Sequence, residues 1–151
     1  TTKKGAPWEP TTMKMVHTML EMAEVGPDDV VYDLGSGDGR IPIIAARKYG
    51  AQSVGIEIDP IRCAMAKLVA RLLGVHEHVV FKRENFFQVD LSDASVVTCY
   101  LLQDTNDRLL TKFQNELEPG TRVISNTHTF QSISPVKTSE EARLFVFNQS
   151  E

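Results

Sequence analysis

The stretch Val30-Val31-Tyr32-Asp33-Leu34-Gly35-Ser36-Gly37-Asp38-Gly39-Arg40 constrains this chain more than any other. Its apolar, β-branched and aromatic opening predicts a strand over Val30–Leu34, and three glycines at alternate positions follow at once. Gly35 and Gly37 can take backbone angles denied to other residues and let a ligand approach without a β-carbon in the way. Gly39 lets the next helix start close. In open α/β sheets ligands bind beyond the carboxyl ends of the strands, and the first strand's loop is the usual place. A lone GSGDG also suits a plain strand-to-helix turn, so the flanking elements have to decide between the two.

Those elements alternate. Met13, Val16, Leu20 and Ala23 recur at helical steps, with Thr11 or Thr12 placed as the cap and Gly26-Pro27 as the stop. After the glycine loop come a helix over Ile41–Lys48, a strand over Ser53–Ile58, and a helix that Asp59 caps, Pro60 opens and Gly74 ends. Strands over His78–Phe81, Ala94–Tyr100 and Thr121–Ser125 are expected, with a helix over Asp104–Glu118 before the last of them. Such alternation implies a parallel sheet covered by helices on both faces. Pro135 interrupts the tail, where only Ala142–Phe147 reads as a strand. No repeat or linker divides the chain, so a single domain over residues 1–151 is expected.

Known nucleotide loops are excluded by spacing. The dinucleotide fingerprint G-x-G-x-x-G fails because position 40 is Arg, and no Gly-Lys-Ser or Gly-Lys-Thr completes a phosphate loop. What remains is an acid at the end of the first strand, Asp33, and another at the end of the second, Glu57. A carboxylate at the second place can accept hydrogen bonds from both hydroxyls of a ribose, and Asp33 can hold a cationic amino group. A ligand with an ammonium, a ribose and no diphosphate is S-adenosylmethionine.

Composition narrows the partners. Twenty acidic against sixteen basic residues leave a formal charge of −4, which argues against a large phosphate-reading surface and for a basic substrate; no nucleic acid partner is expected. No apolar run reaches membrane-spanning length and no signal peptide is visible, so the expected setting is cytoplasmic. Cys63 and Cys99 lack the paired spacing of a zinc site, and His17, His76, His78 and His128 stand at no ligand spacing, so no metal is expected.

Asp33-Leu34-Gly35-Ser36-Gly37-Asp38-Gly39-Arg40 resembles the first motif of class I, seven-strand methyltransferases, and Gly55-Ile56-Glu57-Ile58-Asp59 resembles their second. More narrowly, PWEPT, ENFFQVDLSDASVVTCYLL and LEPGTRVIS are similar to the small archaeal protein-lysine methyltransferases and their mitochondrial relatives. The resemblance implies a Rossmann-like fold, S-adenosylmethionine as cofactor and protein substrates that present lysine. It implies cofactor contacts from the first motif, Asp33 to Gly39, and from Glu57 and Ile58. Asn85 or Phe86 after the third strand would touch the adenine. Residues 1–12 would form a leader, with Trp8, Glu9, Pro10, Thr11 and Thr12 folding over the methionine end of the cofactor; the alternative is a solvent-exposed leader with Thr12 as a plain helix cap. Tyr100, at the end of the fourth strand beside the reacting methyl, would either line a lysine channel or pack in the core. Trp8 and Tyr100 are thus the candidate catalytic residues.

The fourth strand carries neither Asn-Pro-Pro-Tyr nor Asp-Pro-Pro-Tyr, which counts against methylation of adenine amino groups or glutamine amides. Cys99 lacks the proline neighbour of a cytosine nucleophile and reads as a buried thiol. Competing readings are a small-molecule or RNA methyltransferase and a catalytically silent cofactor-binding partner. A monomer is slightly favoured.

Overall fold

The computed structural model describes residues 11–100, 106–126, 130 and 132–149. Helix α1 (Met13–Met22) begins where the Thr12 hydroxyl accepts from the Met15 amide at 3.1 Å, which satisfies one of the free donors of the first turn. Strand β1 (Val30–Leu34) follows, then the glycine loop and helix α2 (Arg40–Tyr49). Strand β2 (Gln52–Ile56) leads to helix α3 (Pro60–Leu72). The Asp59 carboxylate caps α3 by accepting from the amides of Ile61 (2.9 Å) and Arg62 (3.3 Å), and Pro60 occupies the first position, where no amide is needed. The chain continues through β3 (Val79–Lys82), a 3-10 turn at Phe86–Gln88, β4 (Val96–Tyr100), α4 (Asn106–Glu116), β5 (Thr121–Asn126), β6 (Lys137–Ser139) and β7 (Ala142–Phe147).

All seven strands share one sheet in the order β3-β2-β1-β4-β5-β7-β6. The first five run parallel, while β7 lies antiparallel to both β5 and β6. The order reverses between β1 and β4, which sit side by side with Asp33 opposite Thr98. That reversal opens a crevice at the carboxyl ends of the strands.

Alternation along the strands sorts the core into two layers. Val31, Val96, Ile124 and Leu144 pack with Met19 and Leu20 of α1 and Ile44 of α2. Tyr32, Val97, Val123 and Phe145 pack with Leu109 and Phe113 of α4 and with Leu117 just past its end. Both faces are therefore covered, as a mostly parallel sheet requires. Near the β3 edge the helix contact is thinner: Cys63, Ala66 and Ala70 of α3 meet Val79 and Phe81 of β3. No helix among the described residues is long and apolar enough to cross a membrane.

Several boundaries shift by one or two residues from expectation, β4 starting at Val96 rather than Ala94 and β3 running over Val79–Lys82, and three differences have a structural reason or consequence. Strand β2 stops at Ile56 rather than Ile58, because β1 has already turned into its loop and the Gly35 and Ser36 amides both donate to the Ile56 carbonyl. Glu57 therefore lies just past the strand. The tail holds an additional exposed strand, β6, which pairs only with β7 and has no apolar pattern to announce it. Helix α4 is shorter than expected at its carboxyl end, stopping at Glu116; position 104, its expected start, lies outside the described residues.

Candidate active site

The glycine loop is shaped by backbone conformation first. Gly35 and Gly37 have φ of 79° and 59°, in the left-handed region, so the loop curls at positions where side chains would be strained. Among the described residues a β-carbon at Gly35 would meet only Phe86 Cε2, at 4.0 Å, so these residues leave space beside the backbone. Gly39 serves packing as expected: a β-carbon there would lie 2.7 Å from Phe81 Cζ and 2.9 Å from Ala66 Cβ.

Glu57 holds this loop in place. Its Oε1 accepts from the Gly37 amide at 2.7 Å and its Oε2 from the Asp59 amide at 3.0 Å. The buried carboxylate thus ties the first loop to the start of α3, and each oxygen keeps further acceptor capacity. Ile58 beside it is exposed. The Ser36 hydroxyl is buried with no hydrogen-bond partner among the described residues, a cost that native sites carry where a ligand or water completes them.

Asp33 is buried at the end of β1, where the Thr98 hydroxyl donates to its Oδ1 at 2.7 Å. Burial pushes its carboxyl well above the ordinary value, to about 7; the Thr98 bond opposes the shift, and the charges of Glu57 and Asp38 add to it. A cation placed beside it would return it to the ionised form. Cys99, one strand over, is also buried; desolvation and then the Asp33 charge push its thiol up, so it is inert as a nucleophile.

Asp38 and Arg40 were separate features in the sequence and form one clamp in the fold. Arg40 Nη2 donates to Asp38 Oδ2 at 2.6 Å and Arg40 Nε to Oδ1 at 3.1 Å, and the hydrogen bond from Arg40 is the main reason the Asp38 carboxyl is lowered. Arg40 Nη1 donates onward to the Thr11 carbonyl at 2.8 Å. The residue that broke the dinucleotide pattern thereby attaches the segment before α1 to the glycine loop. Trp8 and Pro10 lie outside the described residues.

The remaining candidates sort by exposure. Tyr100, at the carboxyl end of β4, is 43% exposed, so the core-packing alternative fails for it. The Thr12 hydroxyl caps α1, one of the roles expected of it. The Asn85 side chain accepts from the Phe87 amide at 2.9 Å and shapes the 3-10 turn, whose Phe86 is half-buried with its ring against that of Phe87. Asp33, Gly35, Ser36, Gly37 and Glu57 are brought together, with Phe86 near Gly35. Sequence reasoning missed two contributors, Arg40 and Thr98. The available signal for Thr98 was a hydroxyl inside the otherwise apolar run Val96-Val97-Thr98-Cys99.

A sheet of this order, with a glycine loop after β1 and an acid after β2, defines a class I methyltransferase of Rossmann-like fold. Within that class the chain belongs to the family described as the ANTKMT methyltransferase domain, which residues 33–137 match. It is 44% identical over 130 residues to a protein-lysine N-methyltransferase of Saccharolobus islandicus, covering 85% of this chain and 81% of the relative. It is 32% identical over 131 residues to the adenine nucleotide translocase lysine N-methyltransferase of Mus musculus, covering 86% of this chain but 56% of that one. The chain thus spans little more than half of the mouse relative's length. Among solved structures, an RNA methyltransferase from Salinibacter ruber in complex with S-adenosyl-L-homocysteine superposes with a TM-score of 0.89 at 42% identity, covering 91% of this chain and 93% of that one.

Proposed function

We propose that this protein transfers methyl groups from S-adenosylmethionine to lysine ε-amines of proteins. The 44% identity to the archaeal protein-lysine N-methyltransferase carries the choice of lysine. The pocket chemistry supports the cofactor: open space at Gly35, an unpartnered buried Ser36 hydroxyl and a buried acid with one partner suit a ligand with polar groups and a cation. That cofactor supplies an electrophilic methyl on a sulfonium.

The chain's own residues bind and orient. Glu57 is the acceptor for ribose hydroxyls through the capacity its two backbone bonds leave. Asp33 is the counter-charge for the amino group. Ile58, Asn85 and Phe86 bound the adenine, while the first-motif residues from Gly35 to Gly39 form the floor. Trp8, Pro10, Thr11 and Thr12 cover the methionine end, a role supported by the Arg40 bond to Thr11. Tyr100 presents an aromatic ring to the incoming ammonium. The whole chain acts as one domain with residues 1–12 as its leader. A cytoplasmic setting belongs to the same reading, supported by two free buried thiols, and a monomeric state is proposed with it.

An ammonium has no lone pair, and at pH 7 only roughly one lysine in two thousand is neutral. His17 is bonded to Tyr49 between α1 and α2, and His76 and His78 precede β3, at the end of the sheet opposite the crevice. None of the three is a base for the acceptor. Desolvation in the channel lowers the lysine pKa, and water takes the proton. With chemistry limiting, kcat/KM therefore climbs about tenfold per pH unit while the cationic amine predominates.

The Salinibacter relative favours RNA as the rival acceptor. Incubation with labelled cofactor and either proteins or RNA decides between them by mass spectrometry. Label on lysine ε-amines supports the reading, and label confined to RNA, arginine or carboxylate overturns it.

A further inference from the structure

Helix α3 buries only small residues, Cys63, Ala66 and Ala70, yet carries large aliphatic ones on its opposite side. Ile61, Met65, Leu68 and Leu72 recur at steps of four, three and four, so they form one continuous ridge. Successive side chains turn by about 100°, which sets this ridge diametrically away from the buried face. Their exposures are 69%, 59%, 56% and 74%, and Val69 and Leu73 widen the patch. A contiguous aliphatic ridge of this kind marks an interaction surface rather than ordinary scatter of exposed residues.

Charge decides what covers it. The chain as a whole is acidic, at −4, but α3 carries Arg62, Lys67 and Arg71 and no acidic residue. Lys67 and Arg71 flank the ridge on one side and also line a groove that runs to exposed Val80 of the edge strand β3. Two copies packed antiparallel through the ridge would bring the Lys67 and Arg71 flank of one against the same flank of the other, with no acid on the helix to separate them. A nucleic acid would use the bases but leave the aliphatic ridge in water, where stacking surfaces are wanted instead. The ridge is also convex, whereas a peptide helix is received in a groove. A soft anionic surface satisfies both components, since apolar side chains enter the acyl boundary and bases meet headgroups.

We propose that the outer face of α3 docks the protein on anionic lipid bilayers. The inference is independent of the methyl acceptor, because none of Met65, Lys67, Leu68, Arg71 or Leu72 belongs to the candidate active site.

The test is vesicle flotation with phosphatidylcholine alone and with phosphatidylglycerol added. Wild type floats with the mixed vesicles and not with the neutral ones, and added salt weakens the binding. The double variant Lys67→Ala/Arg71→Ala binds roughly thirtyfold more weakly, from the loss of two interfacial bases. Leu68→Glu/Leu72→Glu abolishes flotation while cofactor binding and thermal unfolding stay unchanged, because both side chains face solvent. Absence of binding to the mixed vesicles, or equal binding to both kinds, overturns the proposal. So does a dimer in sedimentation equilibrium that Leu68→Glu/Leu72→Glu dissolves, since a second copy would then cover the ridge. Retention on polyuridylate that is lost in Lys67→Ala/Arg71→Ala but kept in Leu68→Glu/Leu72→Glu, with no flotation, overturns it in favour of RNA.

Discussion

Two buried aspartates, four residues apart, stand at the two ends of strand β1, Asp29 just before it and Asp33 beside its last residue, and their surroundings differ. Asp29, before the strand, accepts from the Gly26 amide at 2.9 Å, the Ser95 hydroxyl at 2.7 Å and the Arg122 guanidinium at 2.5 Å. Arg122 also donates to the Ala23 carbonyl, so the amino end of the sheet is tied to the end of α1. Asp33, near the carboxyl end of the strand, receives one hydroxyl and no cation among the described residues, and its carboxyl is raised to about 7. A carboxylate with three donors, one of them charged, is complete within the fold. One with a single neutral donor has capacity left for a ligand, and without that ligand it holds a proton. Burial is common to both residues. The difference lies in what remains after local partners are counted, and under the proposed function it separates a structural acid from a binding one.

The strongest way to break the contrast is at the closed end. Arg122→Ala leaves Asp29 without its cation and should cost about 3 kcal/mol, read as a lower urea midpoint at unchanged slope. Cofactor affinity of the folded protein should not change, since Arg122 lies at the amino end of β5, away from the crevice. A loss of affinity with intact stability would invert the assignment of the two ends.

Asp33→Asn should do the reverse. Near pH 8 it should weaken S-adenosylmethionine binding by about 2 kcal/mol, roughly thirtyfold, without loss of stability. The folded protein holds a proton on Asp33 that the unfolded chain releases between about pH 4 and pH 7, so this group's contribution to stability falls as pH rises through that window. The Asn variant lacks that decline. For binding the sign is opposite: a cationic ligand needs ionised Asp33, so wild-type affinity should rise towards about pH 7 and the variant's should not. Calorimetry across pH checks both, and a variant with the wild-type pH profile would remove Asp33 from the site.

Arg40→Met sharpens the comparison at the smallest scale. It removes the clamp to Asp38 and the bond to Thr11, so cofactor affinity should fall about fivefold, partly restored by Arg40→Lys. Unchanged affinity in Arg40→Met would show that the segment before α1 has no part in binding.

Much of this was legible from local signals. The glycine spacing, the Asp59-Pro60 start of α3 and the apolar strands each rest on backbone propensity or periodicity, which act over a few residues and so are written in the chain itself. The two acids of the site were legible for the same reason, because each sits where a strand ends. The short strand β6 was hidden, since its three exposed residues owe their conformation to β7 alone. Only the tertiary structure set Thr98 against Asp33, 65 residues away in sequence, and Glu57 against the Gly37 amide, 20 residues away. It also decided that Arg40 would bridge to Thr11, and that α3 would meet the sheet through Cys63, Ala66 and Ala70 rather than through its leucines. A helical pattern with apolar residues on two sides does not say which side is buried; the close approach permitted by small side chains beside Phe81 chose the small one and left the large one outward.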